Sequence, residues 1–512
     1  MRFRSILAVL ATLSVAAACA STPAVTIESG QAAVTSGVGA STSNGASGTD
    51  AGSTAPRPAL QWRSCGDGIE CTTLAVPIDD TVANGPTISL AINRHKANKS
   101  AKRIGVLLVN PGGPGVGGQF LVQAANQFFS PDLLDRFDIV AWDPRGTGSS
   151  SPIKCVDNLD DYFSLDPTPD NATEKQALID SAKAFEQGCD TRNHSLLGHI
   201  STQDTARDID RIRIALGEDK ISFFGFSYGS ELGATYATLF PTRVRAMVLD
   251  GASDPNADYE QSTLEQITGI ERALNAFLAD CAAKKSCALY NNGDPARAFD
   301  DLMASLDTNP LPSKPSNGKP RPAIGQGIAY IAVLQALYAE ESWPDLARAL
   351  ADARKGTGDR LLAMYDSYLE RNPDGTWSNS IDALISINCL DDRGPQDIAT
   401  LDRITEQAAK VAPRLGRAMS TSYSCVGWPF QAPKLTLTAK GAGPIVVVGN
   451  TGDPVTPIES NEKMAKALEK GILLKFEGQG HTSYAQRNSC VTSNVDGYLV
   501  ELKPPASGTI CK

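Results

Sequence analysis

Ser227 stands in Gly225-Phe226-Ser227-Tyr228-Gly229, a G-x-S-x-G spacing. Between a strand and a helix this spacing holds a serine hydroxyl out at the tip of a strained turn, and small flanking residues leave room for it. A chain with 44 glycines produces the pattern by chance, so the flanks decide. Ile221-Ser222-Phe223-Phe224 reads as a short buried strand, and Glu231-Leu232-Gly233-Ala234 opens a helix with small residues on its packing face. A free serine hydroxyl is protonated at neutral pH and needs a base to become a nucleophile. The chain has four histidines. His95 follows the first strand, while His194 and His199 fall in a polar stretch beside a cysteine and read as solvated loop or capping residues. His481, in Gly478-Gln479-Gly480-His481-Thr482, follows the last apolar strand. Asp453 follows another apolar strand in Gly452-Asp453-Pro454; alone, Gly-Asp-Pro is a common turn. The chain order Ser227, Asp453, His481 is the order that accompanies this kind of elbow, with the carboxylate holding the imidazole in the working tautomer.

An oxyanion formed by attack of Ser227 on a carbonyl needs donors already in place. Asn110-Pro111-Gly112-Gly113-Pro114-Gly115 follows an early buried strand, so the amides of Gly112 or Gly113 are expected beside that of Tyr228. A phosphate-binding loop would end in Gly-Lys-Ser/Thr, and this one does not. A metal site is not expected either, because there is no C-x-x-C pair and histidines are few. No cofactor is implied.

The elements that must position these residues alternate. Thr87–Ile92, Ile104–Val109, Phe137–Trp142, Arg245–Asp250, Pro444–Gly449 and Ile472–Phe476 read as strands, and Thr202–Leu216 as a helix leading into the elbow strand. This predicts an α/β fold, a mostly parallel sheet with helices on both faces. From about Ser253 to Ser424 helical patterns take over, at Thr263–Lys284, Ala296–Leu306, Gly327–Glu340 and Trp343–Lys355. The expected organisation is a core over 59–252, an inserted helical lid over 253–424, and the rest of the core over 425–512.

The ends carry a different kind of information. MRFRSILAVLATLSVAAACA has two arginines, a short apolar run and small residues before Cys19, which reads as an export signal over 1–19. Ala16-Ala17-Ala18-Cys19 resembles a lipobox with alanine in place of the usual leucine; Cys19 is either lipidated, giving membrane attachment, or close to a simple cleavage site. Residues 20–58, rich in Ser, Thr, Gly and Ala, read as a flexible linker. Ten further cysteines in an exported chain imply five disulfides. Proximity along the chain pairs Cys65 with Cys71, Cys155 with Cys189, Cys281 with Cys287, Cys389 with Cys425 and Cys490 with Cys511. A net charge of −10 and a pI near 5.1 argue against a nucleic acid partner.

With NPGGPG at Asn110–Gly115, WDPRGTGSS at Trp142–Ser150, GFSYGS at Gly225–Ser230, Cys389-x-Asp391 and GDPVTP at Gly452–Pro457, the chain resembles the tripeptidyl- and prolyl-aminopeptidase branch of the α/β-hydrolase fold, as secreted by actinomycetes. Typical prolyl aminopeptidases have histidine where Pro111 stands, so the likeness is closer to the tripeptidyl branch. The resemblance implies release of short peptides from free N-termini by a serine nucleophile, without metal or cofactor. A carboxylesterase would use the same triad on ester substrates. A silent envelope-binding lipoprotein is a third class, against which the intact triad argues. An exopeptidase must recognise the chain end, and a carboxylate that pairs with the free α-amine is the simplest device. Asp391, in the family's C-x-D, is the candidate, with Asp392, Glu340 and Glu341 as alternates.

Overall fold

The computed structural model describes residues 60–512; the expected export signal over 1–19, Cys19 and the expected linker over 20–58 lie outside the described residues. Its strands are β1 (Arg63–Gly66), β2 (Ile69–Pro77), β3 (Thr87–His95), β4 (Gly105–Asn110), β5 (Phe137–Trp142), β6 (Ile221–Phe226), β7 (Val244–Asp250), β8 (Ile445–Gly452), β9 (Gly471–Gln479) and β10 (Ile510–Cys511). Every residue of β4, β5 and β6 is buried, which a strand can be only inside a sheet covered on both faces. Successive side chains accordingly enter opposite layers. Val106 and Leu108, Ile221 and Phe223, and Met247 and Leu249 join one apolar cluster. Leu107 and Val109, Phe224 and Phe226, and Ala246 and Val248 join the other.

Among the described residues these strands form one ten-stranded sheet in the order β1-β2-β3-β5-β4-β6-β7-β8-β9-β10. The β1-β2-β3 edge is antiparallel, β3 meets β5 antiparallel, and from β5 through β4 to β10 every pairing is parallel. The α/β architecture expected from the pattern is the one found. The C-terminal ends of β4, β6, β7, β8 and β9 lie side by side, so the loops after them converge. Cys65–Cys71, Cys155–Cys189, Cys281–Cys287, Cys389–Cys425 and Cys490–Cys511 are all paired, with Cα atoms 4.0–5.8 Å apart.

A third apolar cluster belongs to the helical region. Phe277, Phe299, Leu346 and Tyr365 pack in it as anticipated, but so do Ile153, Phe185, Cys189 and Leu197. The helix Ala172–Leu197 therefore shares a core with the helices that follow β7, and His194, expected in a loop, sits on it bonded to Asp190 one turn earlier. That helix was hidden because only five of its 26 residues are buried, too few for a clear 3.6-residue period.

Arg145, from the WDPRGTGSS stretch, ties the layers together. It is 1% exposed, and its guanidinium forks onto Asp208, itself 0% exposed, with Nε to Oδ2 at 2.7 Å and Nη2 to Oδ1 at 2.8 Å. Nη1 also donates to the carbonyls of His199 and Ile78, joining the start of the helix Thr202–Leu216 to the end of β2. Asp208→Ala would strand a buried guanidinium and should lower the unfolding free energy by ~3–5 kcal/mol. Urea unfolding measures this, and a loss under ~1 kcal/mol, the worth of a surface pair, would contradict it.

Candidate active site

Ser227 lies between β6 and the helix Tyr228–Leu239 with φ 54° and ψ −128°. A positive φ at a residue with a side chain is strained backbone, held here by its surroundings. Ser227 N–H donates to the carbonyl of Asp250 at 2.8 Å, and Ser227 O accepts from Ser230 N–H at 2.8 Å. The turn is so tight that a Cβ at Gly225 would lie 2.0 Å from the Gly229 oxygen. Glycine at that flank is a steric requirement.

Asp453 follows β8 and is 2% exposed. Its Oδ1 accepts from Val455 N–H at 3.0 Å and Thr456 N–H at 2.8 Å, and its Oδ2 from Thr482 N–H at 3.0 Å. Thus oriented, both oxygens lie 2.9 Å from His481 Nδ1. That contact leaves the other ring nitrogen to act, and Nε2 is buried without a hydrogen-bond partner among the described residues. His481 N–H donates to Tyr338 O at 2.8 Å, and the Tyr338 ring meets the imidazole edge-on with centroids 5.3 Å apart. The end of the helix Gln326–Leu337 thus contacts the imidazole loop directly.

The glycine loop corrects one expectation. Asn110 Oδ1 accepts from Gly112 N–H at 3.0 Å, so that amide is not free to meet an oxyanion. Gly112 instead provides clearance. At φ 98°, a Cβ there would lie 2.5 Å from Phe226 O and 2.9 Å from Ser227 Cβ. The amides of Gly113 and Tyr228 have no acceptor among the described residues and are the pair left for the role.

Asp391 ends the helix Ser380–Asp391, close to the Cys389–Cys425 bridge. Its carboxylate accepts from Thr202 N–H at 3.1 Å and Thr202 Oγ1 at 2.6 Å, and the same hydroxyl meets the Tyr228 hydroxyl. One side chain thus separates Asp391 from the tyrosine that follows Ser227. Burial pushes the Asp391 carboxyl up to about 7, opposed by its bonds to Thr202 and reinforced by the charge of Glu231. Glu231, missed in the sequence, lies one helical turn after Ser227 and among the described residues has a single weak hydrogen bond, from Ser253 Oγ at 3.5 Å. Its pKa is also raised, first by burial. The i, i+4 spacing from Ser227 was the signal that could have found it. The alternates fare differently. Glu340 and Glu341 are exposed, and Asp392 lies 3.8 Å from Lys434 Nζ.

Residues 105–487 match the family described as alpha/beta hydrolase fold. The chain belongs to that family. Serine protease Hip1 of Mycobacterium tuberculosis is 36% identical to this hydrolase over 459 residues, covering 87% of each chain. Carboxylesterase B of the same organism is 34% identical over 476 residues, covering 89% of this chain and 90% of its own. Tripeptidyl aminopeptidase of Streptomyces lividans is 30% identical over 475 residues, covering 89% of this chain and 87% of its own. These relatives make this α/β hydrolase a serine hydrolase of the actinobacterial peptidase group.

Proposed function

We propose that this hydrolase is an exported aminopeptidase that releases short peptides from free N-termini through an acyl-enzyme on Ser227. His481 takes the Ser227 proton and returns it to the leaving amine, and Asp453 holds the imidazole and stabilises its charged form. The amides of Gly113 and Tyr228 receive the oxyanion. The observation that supports the reading is the Asp453–His481 pair with Nε2 left unpartnered, together with a strained serine whose N–H is held by Asp250, the neighbour of the Gly251 that faces His481 Cε1. The tripeptidyl aminopeptidase relative supports the exopeptidase form. Comparing a free tripeptide amide with its N-blocked form tests it; equal turnover of the two would sink the aminopeptidase reading. The second reading, a carboxylesterase, draws support from the carboxylesterase relative, and preference for a simple ester over every free peptide would favour it.

In this reading the substrate's ammonium pairs with Asp391, with Glu231 as the second carboxylate. A cation there relieves two half-buried carboxylates whose charges oppose each other. Asp391→Asn should lower kcat/KM for free-amine peptides by roughly 1.5–3 kcal/mol in transition-state binding and leave simple esters unchanged. The pH dependence has a definite sign. With its carboxyl at about 7, Asp391 loses its charge as pH falls through that value, so KM for free-amine peptides should rise there while KM for neutral esters stays flat. Equal losses on both substrate classes would make Asp391 a cap for the helix Thr202–Leu216 and nothing more.

The remaining expectations enter on the same footing. The lid comprises residues 253–424 together with the helix Ala172–Leu197, whose shared apolar cluster supports the grouping. Five disulfides support export. Lipidation at Cys19 would add attachment to the envelope membrane, and the mass of the mature N-terminal peptide decides it.

A further inference from the structure

Asp250 ends β7 and is 0% exposed. No lysine, arginine or histidine pairs with it among the described residues, although an uncompensated buried carboxylate is costly. What it does hold is specific. Its main-chain oxygen accepts the Ser227 N–H at 2.8 Å. Its carboxylate accepts the Ser483 N–H, at 2.9 Å to Oδ1 and 3.0 Å to Oδ2, and the Tyr484 N–H at 2.8 Å to Oδ2. One residue therefore joins the serine elbow to the loop that carries His481. The next residue, Gly251, continues the link, since a Cβ there would lie 3.3 Å from His481 Cε1.

That loop needs holding. Thr482 has φ 62°, an unfavourable conformation for a β-branched residue. Four successive N–H groups of the loop are fixed by three residues: His481 by Tyr338 O, Thr482 by Asp453, and Ser483 and Tyr484 by Asp250. Asp453 and Asp250 thus divide the task. Asp453 takes the ring Nδ1, whereas Asp250 touches only the backbone beyond the ring.

We propose that Asp250 is a positioning residue for the reaction: a second buried carboxylate that sets the imidazole loop against the serine elbow and lends its charge to the protonated form of His481. The proposal rests on the catalytic reading of Ser227 and His481. The titratable groups that face Asp250 are His481 and Asp453, from the loops after β9 and β8. Tyr484 turns its hydroxyl away to Asp496. Burial pushes the Asp250 carboxyl up to about 7, against the pull of the two N–H donors and His481, so the charge is complete on the alkaline side of neutrality.

The test is Asp250→Asn in the full chain, assayed on a small activated ester over a range of pH. An amide keeps the shape but loses the charge and turns one N–H2 toward N–H donors. Misplacement of the base should lower kcat on the order of 10²-fold with KM little changed. Removing a negative charge near the imidazole should also move the acid limb of the kcat profile to lower pH. A purely structural residue would shift neither the limb nor the kcat-against-KM split. Should Asp250→Asn not accumulate as folded protein, Asp250→Ser, which leaves room for a water, is read in the same way. Unchanged kcat, an unmoved acid limb, or loss of the folded state in both variants would overturn the proposal. Failure of the underlying catalytic reading is separately visible, as a Ser227→Ala protein that still turns over the ester.

Discussion

Ser227→Ala should abolish turnover of peptides and esters alike, a loss on the order of 10⁶ in kcat, while the unfolding midpoint stays the same or rises. The side chain sits at the tip of the elbow between β6 and the helix Tyr228–Leu239, only partly buried, so its hydroxyl contributes little to packing. The backbone around it carries the structure. Its N–H and C=O are both bonded, to Asp250 and Ser230, and those bonds survive the substitution. Alanine tolerates φ 54° no better than serine, so the stored strain persists unchanged. Kinetics of the purified variant beside a urea unfolding curve check both halves of this expectation.

Asp453→Asn is the second large effect. Asp453 accepts three backbone N–H groups besides facing His481 Nδ1, so it has no room for a donor of its own. An amide there must turn its N–H2 either toward Nδ1, forcing the proton to Nε2, or toward the backbone donors. The first choice removes the lone pair that should accept the Ser227 proton. A fall of about 10⁴ in kcat with little change in KM is expected. Loss of buried hydrogen bonds should lower stability as well, by ~1–3 kcal/mol. A variant with more than a tenth of wild-type kcat would show that His481 is oriented by something other than Asp453.

Much of this was legible in the chain, for reasons that can be named. β4, β5 and β6 are apolar throughout because both faces are covered, and such runs stand out. The glycines around Ser227 and in the NPGGPG loop mark places where a Cβ would collide, so they report a backbone constraint directly. The Asp453–His481 contact followed from chain order together with the apolar strand before each residue. The misses share a different cause. The β1-β2 hairpin is exposed along β1 and held by Cys65–Cys71, so it lacks an apolar run. The helix Ala172–Leu197 contributes too few side chains to the core to show its period. The choice between the Gly112 and Gly113 amides is not written in the motif, because competition from the Asn110 side chain for Gly112 is a matter of local rotamer. Glu231 and Asp250 acquire their properties from residues distant in sequence, Ser253 and Ser483 among them. No spacing rule reports such pairings.

The most direct test of the central claim is to treat the purified, disulfide-intact protein with a fluorophosphonate and locate the adduct by peptide mass spectrometry. The account predicts one adduct per chain, on Ser227, formed much more slowly in Asp453→Asn and protected by a free-amine tripeptide substrate. An adduct on another residue, or none at all on a protein that still hydrolyses peptides, would contradict it.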